Sequence, residues 1–313
     1  MGPDRYAGLV RPPSVRPPVS SSVWRWDDVD VHLLRLGDPD ARVRVVLLHG
    51  AGGNAAALRP VAEHVSALGV HVTVPDLPGY GKTRARDSRV RYGHWQRMTA
   101  DLLRAEDDDR PLVLMGASMG GLLAYEAAEV TGLAAAVVAT CLLDPGDAAV
   151  RARLTWHPLM GRVAGPALRL LAGPLASVRV PVRWVADMGH VANDPSVVRA
   201  VLGDPRGGGG RVPLGWMRSF LELRLAVEPE RARTPLVLTH PAEDRWTPVA
   251  LSRRFLDRVA APTEVVLLDR CGHFPVEEPG LGQLLAAVRR TVAAVAGRDV
   301  GDGGDEATAD AAR

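Results

Sequence analysis

Six short apolar runs along the chain have the pattern of strands that are buried on both faces of a sheet. In most of these runs, polar residues do not alternate with apolar ones, as they do in a strand with one face in water. The runs are residues 43–48, 70–74, 112–115, 134–140, 236–239 and 264–268.

Helical patterns lie between these runs, so that strands and helices alternate along the chain. Such alternation predicts an α/β fold, in which a mainly parallel, doubly wound sheet is flanked by helices. Ahead of the first run, residues 23–26 and 31–36 are separated by two aspartates and predict an antiparallel hairpin at the sheet edge. The helical patterns cover residues 55–68, 92–104, 119–130, 249–259 and 281–296.

The alternation stops after the fourth run and returns only before the fifth, a gap of roughly 90 residues that is too long for a structureless loop in a compact domain. The pattern therefore predicts a helical cap at residues 145–233, inserted into a core formed by residues 23–144 and 234–296. Residues 207–210 are consecutive glycines, which are typical of a flexible connector. Helices are expected within the insertion at residues 148–154, 166–171, 195–202 and 214–223.

Both ends of the chain lack these periodic patterns. Residues 1–22 are interrupted by prolines and are expected to form a flexible or extended lead-in. Residues 297–313 have too little apolar surface to fold and are predicted to be disordered.

Composition narrows the classes of partner. Lys and Arg number 38 against 36 Asp and Glu, for a net charge of +2; this lacks the basic stripe of nucleic-acid binding, so no nucleic-acid partner is predicted. No apolar stretch approaches the roughly 20 residues that cross a bilayer. Residues 1–22 lack a secretory signal pattern, so we expect a cytoplasmic location. Cys141 and Cys271 are expected to be free thiols, and the oligomeric state is left open.

The most informative motif is Gly116-Ala117-Ser118-Met119-Gly120, which separates an apolar run from a helical pattern. A Gly-x-Ser-x-Gly turn between a strand and a helix presents the serine as a nucleophile. The turn is sharp and packs the strand closely against the helix, so only small residues fit two positions on either side. Ser118 is therefore the predicted nucleophile.

A serine nucleophile needs a base, and His273 is the predicted one. It lies in a loop after the last strand run, with Gly272 and Pro275 beside it. In parallel sheets, side chains at the carboxyl ends of strands meet in one crevice, which Ser118 also faces. His240, which ends a strand run, is the alternative base. The remaining histidines have the pattern of core or solvated rings, or lie in the insertion.

The predicted orienting acid is Asp244, in the loop after the penultimate strand run. With this residue the chain order is Ser, Asp, His, as in α/β-hydrolases. Asp244 has the alternative role of a helix cap. Glu243 and Asp144 remain alternative acids.

An acyl-transfer site also needs backbone N–H groups that bind an oxyanion. The N–H of Met119, at the start of a helix, is one predicted donor. The second is expected from the glycine-rich loop at residues 49–54, with Ala51 preferred and Gly52 the alternative. A glycine-rich loop before a helix also binds phosphate, but no Gly-Lys-Ser/Thr follows here, so a nucleotide loop is not predicted.

Together these motifs resemble the α/β-hydrolase fold serine hydrolases, over residues 23–296. In that family a histidine often precedes the nucleophile, where this chain has Ala117. The matching pieces are His49-Gly50-x-Gly52, the structural turn at residues 76–81, the Ser118 turn, the Asp244 loop ending at Pro248, and Gly272-His273.

The insertion resembles the cap of monoacylglycerol lipases and lysophospholipases through Asn193-Asp194-Pro195 and Gly203-Asp204-Pro205. The resemblance implies hydrolysis of small acyl esters, acylglycerols or lysophospholipid-like esters with water. No cofactor is implied. No metal is predicted, because no histidines pair at helical spacing and the two cysteines lie far apart. Substrate contact, or alternatively cap packing, is expected for Trp156, Met160, Trp184, Met188, Trp216, Met217 and Phe220.

The same scaffold hosts other chemistry, and several alternatives stay open. They are acyl transfer to an acceptor other than water, thioester or amide hydrolysis, and cleavage of C–C bonds in secondary metabolism. A non-catalytic ligand-binding homologue is a further alternative.

Overall fold

An eight-stranded sheet forms the centre of the computed structural model, which describes residues 5–154, 175–184 and 186–301. Its strands are β1 (Val19–Trp26), β2 (Val29–Leu36), β3 (Arg44–Leu48), β4 (His71–Pro75), β5 (Leu112–Gly116), β6 (Ala134–Ala139), β9 (Leu236–Pro241) and β10 (Thr263–Leu268). The intervening strands β7 (Arg179–Pro181) and β8 (Arg211–Pro213) form a separate antiparallel pair.

The order across the large sheet is β1-β2-β4-β3-β5-β6-β9-β10. The six strands from β4 to β10 in this order are parallel, and the β1–β2 hairpin adds antiparallel strands at one edge. Both the mainly parallel sheet and the edge hairpin were expected from the sequence, and both predictions are confirmed. Because β3, β4 and β5 are buried throughout, most of their residues are apolar.

Helices flank this sheet. The helices are α1 (Ala55–Ser66), α2 (Tyr92–Ala105), α3 (Met119–Thr131), α4 (Ala148–Leu154), α5 (Pro195–Leu202), α6 (Leu214–Leu221), α7 (Val249–Leu256) and α8 (Gly280–Gly301). Helix α1 contacts α8, whereas α2 contacts α3, and α3 lies against β5 and β6. The residue that starts α3 therefore emerges from the middle of the sheet.

Of the residues predicted to form a flexible or extended lead-in, those from Tyr6 onward are ordered, and the last four are extended in β1. Tyr6 is 2% exposed, and strand β1 already begins at Val19. The serines that follow Val19 carry no apolar pattern, but strand pairing uses backbone groups and does not require one. The pattern of side chains therefore missed half of this strand.

At the other end, helix α8 continues to Gly301, beyond the predicted boundary at residue 296. No proline interrupts residues 297–301, and extending an existing helix adds one backbone hydrogen bond for each residue fixed. The prediction of disorder from residue 297 is thus wrong for these residues, and residues 302–313 lie outside the described part.

Between β6 and β9 the structure contains α4, the β7–β8 pair, α5 and α6. The helix expected at residues 166–171 lies outside the described residues. Residues 207–210 were expected to form a flexible connector, but the structure shows an ordered turn there. The N–H groups of Gly207 and Gly209 donate to the carbonyl of Asp204, at 3.0 and 2.9 Å, in a compact turn. Composition alone suggested a linker, but here glycines are needed for close backbone packing.

A buried carboxylic acid joins α2, α3 and the chain that follows α6. Glu126 on α3 accepts hydrogen bonds from Gln96 (2.7 Å) and the Tyr92 hydroxyl (3.3 Å), both on α2. The backbone of Ala226 also bonds to it. Burial raises the pKa of Glu126 to about 8, against the opposing effect of these hydrogen bonds. Glu126 is therefore protonated at neutral pH.

We expect Glu126 to make the folded state less stable as pH rises. The folded protein keeps a proton up to pH about 8 that the unfolded chain releases near pH 4.5, so the free energy of unfolding falls across this window. At about 1.4 kcal/mol per pKa unit, the loss between pH 5 and pH 8 is about 3 kcal/mol. Glu126→Gln removes this loss, because a glutamine side chain does not titrate. Urea denaturation of the wild type and of Glu126→Gln at pH 5 and pH 8 tests this prediction. The prediction is contradicted if both proteins lose the same free energy of unfolding between the two pH values.

Candidate active site

Ser118 occupies a strained turn between β5 and α3. Its φ of 56° and ψ of −126° lie in a region that residues with side chains rarely adopt. Two hydrogen bonds hold the turn: the Ser118 N–H donates to Thr140 Oγ1 (2.9 Å), and the Ala117 N–H donates to the carbonyl of Leu48 (2.9 Å). The hydroxyl is thereby fixed at the carboxyl edge of the sheet.

Glycines let three segments meet at this turn. A Cβ on Gly116 would overlap the carbonyl of Gly120, and one on Gly120 would overlap the carbonyl of Leu48. A Cβ on Gly50 would lie 2.8 Å from that of Ser118. These backbone contacts explain why the motif requires small residues on either side of the serine.

Ser118, His273 and Asp244 form a continuous chain of hydrogen bonds. Ser118 Oγ lies 2.7 Å from His273 Nε2, and His273 Nδ1 lies 2.7 Å from Asp244 Oδ2. A carboxylate only accepts hydrogen bonds, so Nδ1 carries the proton and Nε2 accepts from the serine hydroxyl. An imidazole in this tautomer is oriented to take a proton from the serine.

Asp244 is held by its own loop. Its Oδ1 accepts from the N–H groups of Trp246 (2.9 Å) and Thr247 (2.7 Å), and its Oδ2 accepts from Thr247 Oγ1 (2.7 Å). Burial raises the pKa of Asp244, but the hydrogen bonds from His273 and Thr247 outweigh burial and leave the pKa below its usual value. The buried carboxylate is therefore ionised and fixed in orientation.

The alternative base and acids lie elsewhere. His240 Nδ1 donates to the carbonyl of Pro241 (2.9 Å), and burial lowers its pKa. Glu243 accepts from the side chain of Asn193 (2.9 Å). Asp144 accepts from the N–H of Gly146 (2.7 Å). In the described part of the chain, none of the three is bonded to Ser118 or His273.

The glycine-rich loop after β3 is fixed by His49. Burial lowers the pKa of His49, so the ring is neutral. Its Nδ1 donates to the carbonyl of Gly50 (2.8 Å), and its Nε2 accepts from the N–H of Leu77 (3.0 Å). The loop is also closed on itself, because the Gly53 N–H donates to the carbonyl of Gly50 (3.1 Å). We call residues 49–53 the oxyanion loop.

Two backbone donors beside Ser118 are free. Among the described residues, neither the N–H of Ala51 nor that of Met119 donates to a protein acceptor. Ala51 and Ser118 line the same cavity, and a Cβ on Gly50 would lie 3.1 Å from the Met119 nitrogen. Unpaired N–H groups at this position are able to stabilise negative charge on an oxygen attacked by Ser118.

The turn at residues 76–81 supports the oxyanion loop from beneath. Asp76 accepts from the N–H groups of Ala55 (2.7 Å) and Lys82 (2.8 Å) and bonds to the ring of His32 (2.8 Å). Burial raises the pKa of Asp76, yet these hydrogen bonds lower it below its usual value. A side chain on Gly81 would overlap this carboxylate. The turn thus fixes the start of α1, next to the oxyanion loop.

A cavity of about 50 Å³ lies over Ser118 and His273. Of the substrate contacts predicted from the sequence, Met188 is the only described residue that lines it. Most of its remaining wall is apolar and includes Ala57, Leu58, Val191, Val201, Trp246 and Phe274.

The remaining candidates for substrate contact are placed differently. Trp184 is 55% exposed. Trp216 and Phe220 are buried against α2, with ring centroids 5.3 Å from Trp95 and 5.2 Å from Tyr92 respectively. Met217 packs at the margin of the same core. For these three residues, burial between α6 and the body explains the apolar pattern. Trp156 and Met160 lie outside the described residues.

Several residues of the site were missed by reasoning from the sequence. Thr140 and Thr247 hold the serine turn and the acid, and the ring of Trp246 lies 4.5 Å from that of His273. Cys141 is buried beside Ser118 and Thr247, and burial raises the pKa of its thiol. The only available signal was their position, directly after a strand or beside Asp244.

The described residues contain no group of three or more His, Cys, Asp and Glu side chains arranged to hold a metal ion. Cys141 and Cys271 are both free and buried, as expected. No helix in the described ranges is both long and apolar enough to span a membrane.

Comparison with known proteins gives a family match over most of the chain. A family model described as Hydrolase_4, "Serine aminopeptidase, S33", matches residues 39–280. The monoacylglycerol lipase of Mycolicibacterium smegmatis is 31% identical over 232 residues, which cover 72% of this chain and 78% of that protein.

Solved structures show the same fold. The monoacylglycerol lipase of Paleococcus ferrophilus has a TM-score of 0.69 at 21% identity and covers 85% of this chain and 98% of its own. A soluble variant of monoglyceride lipase from Saccharomyces cerevisiae, in complex with a substrate analogue, has a TM-score of 0.71 at 18% identity. It covers 94% of this chain and 99% of its own.

The packing at Gly120 predicts a large effect of a single methyl group. Gly120→Ala places a Cβ against the Leu48 carbonyl, so we expect the free energy of unfolding to fall by about 3 kcal/mol or more. The control is Gly93→Ala, also in the first turn of a helix, where an added Cβ meets nothing closer than 3.8 Å. That change should stabilise by about 0.5 to 1 kcal/mol. Equal stability of the two variants in guanidinium denaturation would rule out this account.

Proposed function

This chain is an α/β-hydrolase of the Hydrolase_4 family (serine aminopeptidase, S33), and we propose that it hydrolyses carboxylic esters through an acyl-enzyme on Ser118. The observation that carries the proposal is the unbroken chain of 2.7 Å hydrogen bonds from Ser118 through His273 to Asp244. A serine held at a φ of 56° beside two unpaired N–H groups adds to it. A purely structural serine needs none of these features.

In the first half-reaction, Ser118 Oγ attacks the ester carbonyl carbon while His273 Nε2 takes the hydroxyl proton. The carbonyl oxygen becomes an oxyanion that the N–H groups of Ala51 and Met119 bind. The C–O bond to the alcohol then breaks, and His273 returns the proton to the leaving oxygen. Asp244 keeps the ring in position and stabilises the transient imidazolium.

In the second half-reaction, water attacks the acyl carbon. His273 takes one proton from this water, and the oxyanion again forms beside Ala51 and Met119. Collapse breaks the bond to Ser118 Oγ, which recovers a proton from His273. The products are a carboxylic acid and free enzyme, so no cofactor enters the cycle.

We propose a small acyl ester, including monoacylglycerols of short acyl length, as the substrate. The relatives named monoacylglycerol lipases support the ester class. The cavity supports a short acyl chain. Its volume is only about 50 Å³ and most of its wall is apolar, which suits a short acyl chain. A cytoplasmic location stays a prediction from the sequence.

Ser118→Ala tests the nucleophile. We expect kcat for p-nitrophenyl butyrate to fall at least about a thousandfold, because the covalent route is lost. Circular dichroism and thermal unfolding of the variant should match those of the wild type. A fluorophosphonate probe should label the wild type and not the variant. Retention of more than a few per cent of activity, or labelling at another residue, would overturn the role of Ser118.

Met188→Ala tests the acyl cavity. Removing this side chain enlarges the cavity, and each additional buried methylene contributes about 0.8 kcal/mol, or about fourfold in kcat/KM. We expect the enlarged cavity to bury about two of the four additional methylenes of octanoate, so the ratio of kcat/KM for octanoate over butyrate esters should rise about fifteenfold. Trp184→Ala is the control, since Trp184 is exposed and should leave the ratio unchanged. Identical chain-length profiles for Met188→Ala and wild type would exclude Met188 from the acyl site.

A further inference from the structure

Asp204 is a buried carboxylate in the turn after α5, and it lies outside the catalytic residues proposed above. It is 8% exposed. Its Oδ2 accepts from Asn54 Nδ2 (2.7 Å) and the Tyr6 hydroxyl (2.9 Å), and its Oδ1 accepts from the N–H of Arg206 (3.0 Å). Burying a charged carboxylate is costly unless such bonds compensate it. Both oxygens are therefore committed to fixed partners.

The bond to Asn54 reaches the start of the catalytic framework. Asn54 directly follows the oxyanion loop and caps α1, because its Oδ1 accepts from the N–H of Ala57 (2.9 Å). This capping bond fixes which end of the amide faces Asp204: the oxygen is occupied, and the NH₂ group points to the carboxylate. Asn54 is 2% exposed. Asp204 and Asn54 are thus joined by a bond that water does not replace.

Backbone packing reinforces the same contact. A Cβ on Gly207 would lie 2.8 Å from the carbonyl of Gly52, and one on Gly52 would lie 3.2 Å from the Cα of Gly208. The carbonyl of Arg206 accepts from the N–H of Gly81, at 2.9 Å. Asp204 itself organises this turn, because its own carbonyl accepts from two of the glycines. The turn therefore packs directly against Gly52 of the oxyanion loop.

We propose that Asp204 is a positioning residue that holds the Ala51 N–H in place for oxyanion binding, through Asn54 and the glycine turn. An oxyanion donor acts only if its distance and direction are preset, and loss of one such donor lowers kcat strongly. Asp204 touches neither the substrate nor Ser118. Its effect therefore falls on the transition state, where the oxyanion exists, and spares substrate binding.

The first test compares Asp204→Ala with Asp204→Asn in the full chain, with p-nitrophenyl butyrate as substrate. We expect Asp204→Ala to lower kcat at least about tenfold while KM stays within about twofold. Asp204→Asn keeps an oxygen that accepts from Asn54 and loses only the bond from the Arg206 N–H, so its kcat should stay within about threefold of wild type. An Asn variant as impaired as the Ala variant would overturn the proposal.

A readout specific to the oxyanion separates positioning from general stability. A trifluoromethyl ketone inhibitor forms a tetrahedral adduct with the serine and places an oxyanion between the two N–H donors. Its Ki should rise in Asp204→Ala by the same factor as kcat/KM falls. An unchanged Ki would overturn the proposal, even if the variant were slow for other reasons.

Asn54→Ser supplies an independent variant if Asp204→Ala does not fold. Serine still accepts from the Ala57 N–H as a helix cap, but it is too short to reach Asp204. It should show the same loss in kcat and the same rise in Ki. Full activity of Asn54→Ser would overturn the proposal.

Two controls probe the same region without reaching the oxyanion loop. Tyr6→Phe removes the other side-chain bond to Asp204 Oδ2, and Asp194→Ala alters the second Asp-Pro sequence of this region, where Asp194 only caps α5. Both should keep kcat and Ki within about twofold. A loss in Tyr6→Phe equal to that in Asp204→Ala would show a general packing effect and overturn the positioning role.

Because this role rests on the catalysis proposed for Ser118, the two failures must be separable. If the proposed function fails, the wild type itself shows no Ser118-dependent hydrolysis and no fluorophosphonate labelling. If only the positioning role fails, the wild type is active, and Asp204→Ala binds the trifluoromethyl ketone as well as the wild type does.

Discussion

The close approach of α3 to the end of β3 is the contact on which the rest of the site depends. Gly120 lies against the carbonyl of Leu48 with no room for a side chain, and the same carbonyl accepts from the N–H of Ala117. This contact places the start of α3, the strained Ser118 and the oxyanion loop within one small volume. The proposed nucleophile and the proposed oxyanion donors are thus brought together by backbone packing, and the side chains of Thr140 and His49 then hold the turn and the loop in place.

Three buried aspartates then hold the loops that this packing cannot fix. Asp76 secures the turn beneath the oxyanion loop, Asp244 secures its own loop and the ring of His273, and Asp204 joins the glycine turn to Asn54. Each accepts at least three hydrogen bonds, with at least one from a backbone N–H group. Loops lack the regular backbone hydrogen bonds of helices and sheets. In these loops, buried carboxylates accept hydrogen bonds from the backbone N–H groups instead.

The sequence predicted features that depend on neighbouring residues, and it missed features that depend on contacts between residues far apart in the chain. Alternation of apolar runs predicted the sheet, and local motif chemistry singled out Ser118, Asp244 and His273 in the order that brings them together. Thr247 and Thr140 act through contacts that leave no periodic trace. The glycines at residues 207–210 were misread as a linker, because composition does not distinguish freedom from close packing. Trp216 and Phe220 followed a helical pattern, but a pattern does not say which surface they meet.

The wall of the acyl cavity is tied to the catalytic loops, which restricts how this side of the site can open. The Phe274 N–H, next to His273, donates to the carbonyl of Val191 at 2.6 Å. Asn193 bonds to Glu243 beside the catalytic acid at 2.9 Å, and Asp204 bonds to Asn54 beside the oxyanion loop at 2.7 Å. Moving this wall would therefore disturb the base, the acid and the oxyanion loop at once. We therefore infer that this wall stays in place when substrate enters, and that Met188 and Val191 limit the acyl length of the proposed ester substrate.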